Sequence, residues 1–206
     1  MPFGVGAAVE AWRRLAGADI DGQLQVVVDR ASWLAPRGWI GIVTIGDTVT
    51  ASVPRADLAE PVRRVLHVLE PAAAVRPDVV VPLLPVLGAT LGPVALFHPP
   101  ATFQVCPAAM EAAGSEEVRE FLGVAAPDDL DESGVHRIES PAFASRTADG
   151  RVAAICGYRR WPNGVAHLSA LTLPEFRGHG HGRTAASMAI AHAVAERLLP
   201  HWRARP

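Results

Sequence analysis

The chain has 206 residues, of which 50% are hydrophobic and 19% are charged, and its formal net charge is −2. This length and composition suit one large or two small domains with an apolar core, and they exclude an intrinsically disordered chain. The near-neutral charge gives no basis for nucleic-acid binding, so we expect no nucleic-acid partner.

The cysteines, the N-terminus and the apolar segments bear on the cell compartment. Cys106 and Cys156 lie far apart, without the spacing of a metal or redox site. The N-terminus lacks a charged region followed by a long apolar run, so we expect no signal peptide. Residues 79–97 are uncharged, but prolines and glycines interrupt them and argue against a membrane-spanning helix. We therefore expect a cytoplasmic protein without membrane contact.

The N-terminal half predicts both helices and strands. Apolar spacing predicts helices at residues 7–16 and 57–69. An aspartate that can cap a helix, followed by apolar residues, favours a further helix at residues 23–30. The β-branched segments 39–45 and 49–53 flank a short polar turn, so together they predict a β-hairpin.

A break follows the strand predicted at residues 94–97. Pro99 and Pro100 are consecutive prolines, which continue neither a helix nor the interior of a sheet. We therefore expect a helix and hairpin accessory region at residues 1–100 and a second domain at residues 101–206.

The second region alternates strands, turns and helices. Strands are predicted at residues 102–106, 141–146, 151–158, 165–172 and 202–204, and helices at 116–122 and 183–199, with a turn or short helix at 128–133. A Thr-Ala-Asp-Gly turn joins the second and third of these strands as a hairpin.

The turn between the strand at 165–172 and the following helix contains three alternating glycines, Gly178, Gly180 and Gly182. Glycine lets the backbone approach a ligand closely and turn successive N–H groups toward it. The N-terminus of the helix adds unpaired donors and a partial positive charge. This arrangement suits a phosphate or pyrophosphate group.

The run Arg177-Gly-His-Gly-His-Gly182, with Pro174 before it, resembles the signature of the GNAT superfamily of N-acetyltransferases. The resemblance implies an α/β fold, with a mixed, mostly antiparallel sheet flanked by helices. It implies acetyl-coenzyme A as cosubstrate, with its pyrophosphate on this loop, and no metal. The cosubstrate contacts are then expected at Leu171, Thr172, Leu173, Arg177, Gly178, His179, Gly180, His181, Gly182 and Arg183.

The side chains of this loop leave alternatives open. Arg177 either pairs with a phosphate or braces the loop, as the family more often uses it. The side chains of His179 and His181 either line the phosphate or face solvent. Two histidines two residues apart, without acidic or cysteine neighbours, make a weak metal site.

Acetyl transfer to an amine needs a group that accepts a proton. Many members of the family place a carboxylate on the strand before the loop, where this chain has Leu168 and Ser169. The remaining catalytic candidates are His167, Glu139 and Tyr158. Each also has a structural interpretation: a core or surface histidine, a solvated loop carboxylate and a packed tyrosine.

An acidic run follows the first helix of this region, where the family often builds its acceptor pocket. It either attracts a cationic amine or is the solvated start of a helix. The run consists of Asp128, Asp129, Asp131 and Glu132.

The resemblance predicts acetyl-coenzyme A-dependent acetylation of a primary amine, on a small molecule or a peptide, by direct transfer. Two alternatives remain: a non-catalytic module that binds acyl-coenzyme A, and a folded domain without a nucleotide ligand.

The C-terminal end departs from the family pattern, in which a further helix and two strands follow the strand at 202–204. We expect an incomplete domain whose last strand has an unpaired outer edge. An apolar patch would then be exposed around Leu198, Leu199 and Trp202. An open edge tends to find a partner, so a homodimer is expected.

Overall fold

The computed structural model describes residues 5–18, 22–84, 88–100, 103 and 112–204. The chain forms two compact units, one with the described residues up to Leu96 together with 203–204, the other from Phe97 to Trp202. The expected division into domains at residue 100 stays a prediction.

The N-terminal unit contains a three-stranded sheet in the order β1-β3-β2. Its elements are α1 (Val5–Ala16), β1 (Leu24–Val28), β2 (Gly41–Ile45), β3 (Thr48–Val53), α2 (Ala56–His67) and a short α3 (Pro77–Val80). The hairpin predicted at 39–53 is confirmed, because β2 and β3 pair antiparallel. Leu58, Val62 and Leu66 of α2 are buried in one cluster with Val49 and Val53 of β3.

The helix predicted at residues 23–30 is wrong, because this segment is β1. It pairs parallel with β3, from Leu24 beside Val49 to Val28 beside Val53. Three consecutive valines at 26–28 suit a strand in a sheet, and pairing with a strand far along the chain decides the outcome.

A five-stranded sheet has the order β4-β8-β7-β6-β5, and its strands β5, β6 and β7 lie in the second unit. The elements in this part of the chain are β4 (Ala95–Phe97), α4 (Ser115–Val124), α5 (Pro127–Ser133), β5 (Phe143–Arg146), β6 (Val152–Trp161), β7 (Val165–Thr172), α6 (His181–Ala195) and β8 (Leu199–Ala204). β5, β6 and β7 pair antiparallel, whereas β7 and β8 pair parallel. Of the strand predicted at 102–106, only Phe103 lies within the described residues.

The two faces of this sheet pack against different helices. On the α6 face, Met188 and Ile190 form one buried cluster with Cys156 and Leu168. On the opposite face, which we call the α4 face, Phe121 of α4 is buried in a separate cluster that includes residues of β6 and β7. Because side chains alternate along a strand, residues 154, 156 and 158 of β6 and residues 166 and 168 of β7 point to α6, whereas Ile155 and Leu171 point to the α4 face.

β7 and β8 pair along only part of their length. The pairs run from Val165–Leu199 to His167–His201. Beyond the last pair, residues 168–172 of β7 and Trp202 of β8 are not paired with each other, and we call this region the β7–β8 opening.

The expected open edge on the last strand is wrong. β4 lies beside β8 in the sheet order, and the ring of Phe97 stacks on that of Trp202 with centroids 6.2 Å apart. The expected exposed patch is also wrong, since Leu198 and Leu199 are only 8% and 9% exposed and Trp202 packs against the α6-face cluster. The edge is covered by a strand about a hundred residues earlier in the chain. The homodimer stays a prediction, without this support.

The helix predicted at 183–199 ends earlier than expected. α6 stops at Ala195, and Arg197 adopts a left-handed backbone with φ 59°. The N–H groups of Arg197 and Leu198 donate to carbonyl oxygens within α6, which closes the helix and lets β8 begin at Leu199. Among the helices in the described ranges, none has the length and apolarity needed to cross a bilayer.

Candidate functional site

The glycine loop joins the end of β7 to the start of α6. Gly178 and Gly180 have φ angles of +80° and +86°, and no described atom lies within 4 Å of a Cβ built on either. The left-handed backbone, and not lack of space, therefore requires glycine at both positions. Gly180 is the residue that caps α6.

The first turn of α6 presents backbone donors. The first hydrogen bond of the helix runs from the N–H of Thr184 to the carbonyl oxygen of Gly180 over 3.0 Å. The N–H groups of His181, Gly182 and Arg183 precede this bond, so they have no partner within the helix. With the helix dipole, they form a positive site for an anion.

Gly182 holds the helix close to the preceding strand. A Cβ at this position would lie 2.7 Å from Oγ1 of Thr172, which is closer than van der Waals contact permits. Leu171 and Leu173, on either side of Thr172, are buried, and the N–H of Leu173 donates to the carbonyl oxygen of Ala153 over 3.0 Å. The strand end under the loop is therefore rigidly placed.

The side chain of Arg177 braces the loop in this structure. Its Nη2 donates to Oδ2 of Asp129 over 2.8 Å, and its Nε donates to the carbonyl oxygen of Thr172 over 3.3 Å. Of the two interpretations left open by the sequence, these contacts favour bracing over a contact with phosphate.

The two loop histidines have different surroundings. His179 is exposed, and its Nδ1 donates to the carbonyl oxygen of Arg177 over 2.9 Å. His181 is half-buried, with Nδ1 2.9 Å from Oγ of Ser145 and its ring against Phe176. His181 therefore fixes the start of α6 to β5. In the part of the chain that is described, no group of three or more His, Cys, Asp or Glu residues could hold a metal ion.

His167 lies at the inner end of the β7–β8 opening. It is half-buried on the α4 face, and it pairs across the strands with Arg159 of β6 and His201 of β8. The ring of Trp161 stacks on the imidazole with centroids 4.5 Å apart. The imidazole of His167 thus lies beside the opening, which begins just after the pair that His167 forms with His201.

Residues 109–204 match the sequence model described as the acetyltransferase (GNAT) family. These residues, just under half of the chain, are thus similar to the GNAT family. The predicted resemblance is thereby confirmed, and so is the mixed α/β fold with helices on both faces of the sheet.

Solved GNAT structures are similar to parts of this chain. One is a GNAT-family protein from Novosphingobium aromaticivorans, with 27% identity over 46% of this chain and 43% of that chain, at a TM-score of 0.37. Another is an acetyltransferase from Colwellia psychrerythraea, with 15% identity over 54% of this chain and 45% of that one, at a TM-score of 0.41. The matches thus span less than half the length of either structure. No curated protein matches the chain.

Glu139 is on the surface and pairs with an arginine. It is exposed, its Oε1 lies 3.4 Å from Nε of Arg159, and its Oε2 accepts from the N–H of Arg160 over 3.3 Å. Arg159 is the residue opposite His167 on β6. Glu139 therefore reaches the neighbourhood of His167 only through an exposed ion pair.

Tyr158 lies on the other face of the five-stranded sheet from His167. It is 0% exposed in the cluster against α6, and its hydroxyl is 2.8 Å from Nδ1 of His192. Burial raises the pKa of the Tyr158 hydroxyl. The structure does not bring this hydroxyl together with His167 and Glu139.

Two residues of the acidic run form ion pairs with arginines. Asp129 accepts from Arg177, and Oδ1 of Asp131 lies 3.9 Å from Nη2 of Arg137. Asp128 is exposed in the first turn of α5. These contacts favour the start of a solvated helix over a binding site for a cationic amine.

Two neighbours were missed from the sequence: the Asp129 partner of Arg177 and the His201 partner of His167. Asp129 could not be paired with Arg177 because 48 residues separate them. His201 lies in a β8 that begins three residues earlier than predicted, at Leu199. By contrast, the short turn at 162–164 limits the register of β6 and β7, so it could have placed Arg159 opposite His167.

Proposed function

We propose that this protein transfers the acetyl group of acetyl-coenzyme A to a primary amine, on a small molecule or a peptide, by direct transfer in a ternary complex. The observation that carries the proposal is the start of α6, where Gly180 has a left-handed backbone and three N–H groups precede the first helical hydrogen bond. The similarity of residues 109–204 to the GNAT family supports acyl transfer.

The pyrophosphate of the cosubstrate would bind to the N–H groups of His181, Gly182 and Arg183. An anion at a helix N-terminus gains from these donors and from the helix dipole, which is equivalent to about half a positive charge. The exposed guanidinium of Arg183 adds positive charge at the same end. Arg177, in contrast, braces the loop through its hydrogen bond to Asp129.

The pantetheine arm would lie in the β7–β8 opening, as the GNAT resemblance implies. Past His167, β7 keeps its pairing with β6 up to Thr172 but not with β8. The backbone groups of β7 that face the opening are therefore not used by β8. The amide groups of the arm could form strand-like hydrogen bonds with them.

The reaction needs one proton acceptor. The nitrogen of the neutral amine attacks the thioester carbonyl carbon, the C–S bond breaks, and the thiolate of coenzyme A leaves. The nitrogen loses one proton, which we assign to the imidazole of His167, and the thiolate then takes up a proton to become the free thiol. His167 is assigned because it is the half-buried histidine beside the opening.

One observation supports the alternative of a non-catalytic acyl-coenzyme A-binding module. At the β7 positions where the family often has a carboxylate, this chain has the buried residues Leu168 and Ser169. Glu139 is paired with Arg159, and Tyr158 lies on the other face of the sheet. If His167 does not act, none of the three candidates supplies a base at the opening.

Calorimetric titration with acetyl-coenzyme A, combined with a free-thiol assay on a panel of primary amines, tests the proposal. We expect saturable binding, and thiol release that depends on the amine. Binding without thiol release would favour the module, and absence of binding would overturn both.

A matched pair of variants locates the binding site. Gly180→Val should weaken acetyl-coenzyme A binding tenfold or more, about 1.4 kcal/mol. Gly150→Val is the control, because Gly150 has φ +87° and no described atom within 4 Å of its built Cβ, like Gly180 with φ +86°. It lies in the β5–β6 turn, so it should carry the same backbone strain without the loss of affinity. Equal losses in both variants would mean that strain, and not the loop, lowers the affinity.

A further inference from the structure

His167 is part of a tight group of three rings. The centroids of His167 and His201 are 5.0 Å apart, and the ring of Trp161 stacks on His167 at 4.5 Å and meets His201 edge-on at 5.0 Å. We call Trp161, His167 and His201 the three-ring cluster. Each ring therefore contacts the other two.

The position of the cluster follows from the strand register. His167 and His201 form the last residue pair before β7 and β8 part, and Trp161 ends β6 opposite Val165. Laterally paired residues point to the same face of a sheet, so the three side chains meet on the α4 face. The cluster thus stands at the inner end of the β7–β8 opening.

The three rings differ in exposure. His201 is 0% exposed, whereas His167 and Trp161 are half-buried. His167 is therefore partly open to solvent, whereas His201 is not. His98 stacks on His201 with centroids 5.9 Å apart, and its Nδ1 donates to the carbonyl oxygen of Pro200 over 3.2 Å. These contacts hold the β8 side of the cluster in place.

We propose that Trp161 and His201 are positioning residues that fix the imidazole of His167 at the inner end of the opening. This inference rests on the proposed function and adds to it the residues that orient the proton acceptor. The physical reason is that proton transfer needs the acceptor within hydrogen-bond reach of the amine, and a misplacement of about 1 Å can cost a hundredfold in rate.

Charged and titratable groups around His167 in the described residues come from two strands and two loops. Arg159 is opposite His167 on β6 and is paired with Glu139 of the loop before β5, His201 is beside it on β8, and His98 lies beyond His201. The ring contacts do not require a particular charge on these groups. The test therefore changes ring shape and measures the catalytic rate separately from cosubstrate binding.

The decisive variants are Trp161→Ala and Trp161→Phe, because Trp161 is half-buried and its replacement leaves the β6–β7 pairing intact. Trp161→Ala removes the ring that stacks on His167, so kcat should fall tenfold or more, while the Kd for acetyl-coenzyme A stays within twofold. Trp161→Phe keeps an aromatic surface and should restore kcat to within threefold of wild type. An unchanged kcat in Trp161→Ala, or no recovery in Trp161→Phe, would overturn the inference.

Two further variants separate positioning from general loss of packing. Phe97→Ala is the matched control, since Phe97 also stacks on a ring but lies on β4, on the other side of β8 from the opening. It should leave kcat within threefold, and a drop as large as that in Trp161→Ala would assign the loss to packing. His201→Phe retains a ring at 201 and should keep at least a third of the wild-type kcat. A larger drop in this variant, with its melting temperature unchanged, would show that ring shape at 201 is not sufficient and would overturn its positioning role.

The thiol-release assay on the wild-type protein distinguishes failure of the proposed function from failure of the positioning role. Absence of wild-type thiol release would overturn the proposed function, and the inference with it. Wild-type turnover with an unaffected Trp161→Ala variant would overturn the inference alone.

Discussion

Arg177 of the glycine loop donates from Nη2 to Oδ2 of Asp129 on α5 over 2.8 Å. This bond connects α5 to the loop that we assign to the pyrophosphate. The Asp129 side chain is 29% exposed and that of Arg177 is 54% exposed. An ion pair so close to solvent contributes roughly 0.2–1 kcal/mol to the stability of the fold. Its main effect is therefore to restrict the conformation of the glycine loop.

The variant Asp129→Asn tests this bracing role by the sign of its effect. If Arg177 braces the loop, its loss of a charged partner should weaken acetyl-coenzyme A binding about threefold, with little change in melting temperature. If Arg177 instead binds phosphate, the variant would release the guanidinium and strengthen binding. Asp131→Asn is the control on the same helix, since its distance to Arg137 is 3.9 Å and it has no contact with the loop in the described residues. Calorimetry on both variants decides between the signs.

The close approach of Gly182 to Thr172 predicts a specific pattern of stability. A methyl group on Gly182 would meet Thr172 Oγ1 at 2.7 Å, so Gly182→Ala should lower the free energy of unfolding by about 1–3 kcal/mol. Adding Thr172→Ala removes the clashing atom and should recover at least half of the loss. Urea unfolding of the two single variants and the double variant measures this coupling.

Gly180→Ala is the matched control for that cycle. Its built Cβ has no described atom within 4 Å, but its φ is +86°, so its cost is backbone strain. Thr172→Ala should not relieve this cost. Equal recovery in both cycles would mean that Thr172 acts on the loop generally, and not through contact with residue 182.

The strand, glycine loop and helix at 165–195 could be predicted because each part has a local signal. A mostly apolar strand, alternating glycines and an alanine-rich segment agree with one another. The error at β1 has the opposite origin. Its three consecutive valines already favoured a strand, but the parallel pairing with β3 is a long-range interaction that no local pattern contains.

The site divides in the same way. The anion-binding backbone around Gly180 follows from residue types at fixed spacing, whereas the partners of Arg177 and His167 lie 48 residues away and on β8 respectively. The closed edge of β8 is also a long-range outcome, since β4 precedes Pro99 and Pro100 in the chain. The residue types in the local sequence therefore predict the loop. The side chains that surround it depend on contacts between distant parts of the chain.

The variant His167→Gln tests the assigned proton acceptor. General-base catalysis contributes about 10²–10⁴-fold in rate, so thiol release should fall at least a hundredfold while the Kd for acetyl-coenzyme A stays within twofold. His67→Gln is the control, because His67 is an exposed histidine at the end of α2 in the other unit. A His167→Gln variant that keeps more than a tenth of the wild-type rate would exclude His167 as the base.

We expect the thiol of Cys156 to be unreactive toward disulfide reagents in the folded protein. It is 0% exposed in the core of the α6 face, its Sγ donates to the carbonyl oxygen of Gly157, and burial raises the pKa of the thiol from 9.0 to about 12. Only the thiolate reacts with a disulfide reagent. At pH 8 the folded protein should therefore react through this residue only when it unfolds.

The reaction is measured with a chromogenic disulfide in a Cys106→Ser background, so that a single thiol reports. The rate should follow unfolding, rising steeply with urea, and acetyl-coenzyme A should slow it if the ligand stabilises the fold. A raised thiol pKa in the folded state also means that folding stability is complete below the pKa of the unfolded thiol. It falls as the pH rises through and above 9, because the unfolded chain then releases the proton first. Cys156→Ala should flatten this alkaline loss, and rapid labelling of the folded Cys106→Ser protein at pH 8 would contradict the burial of Cys156.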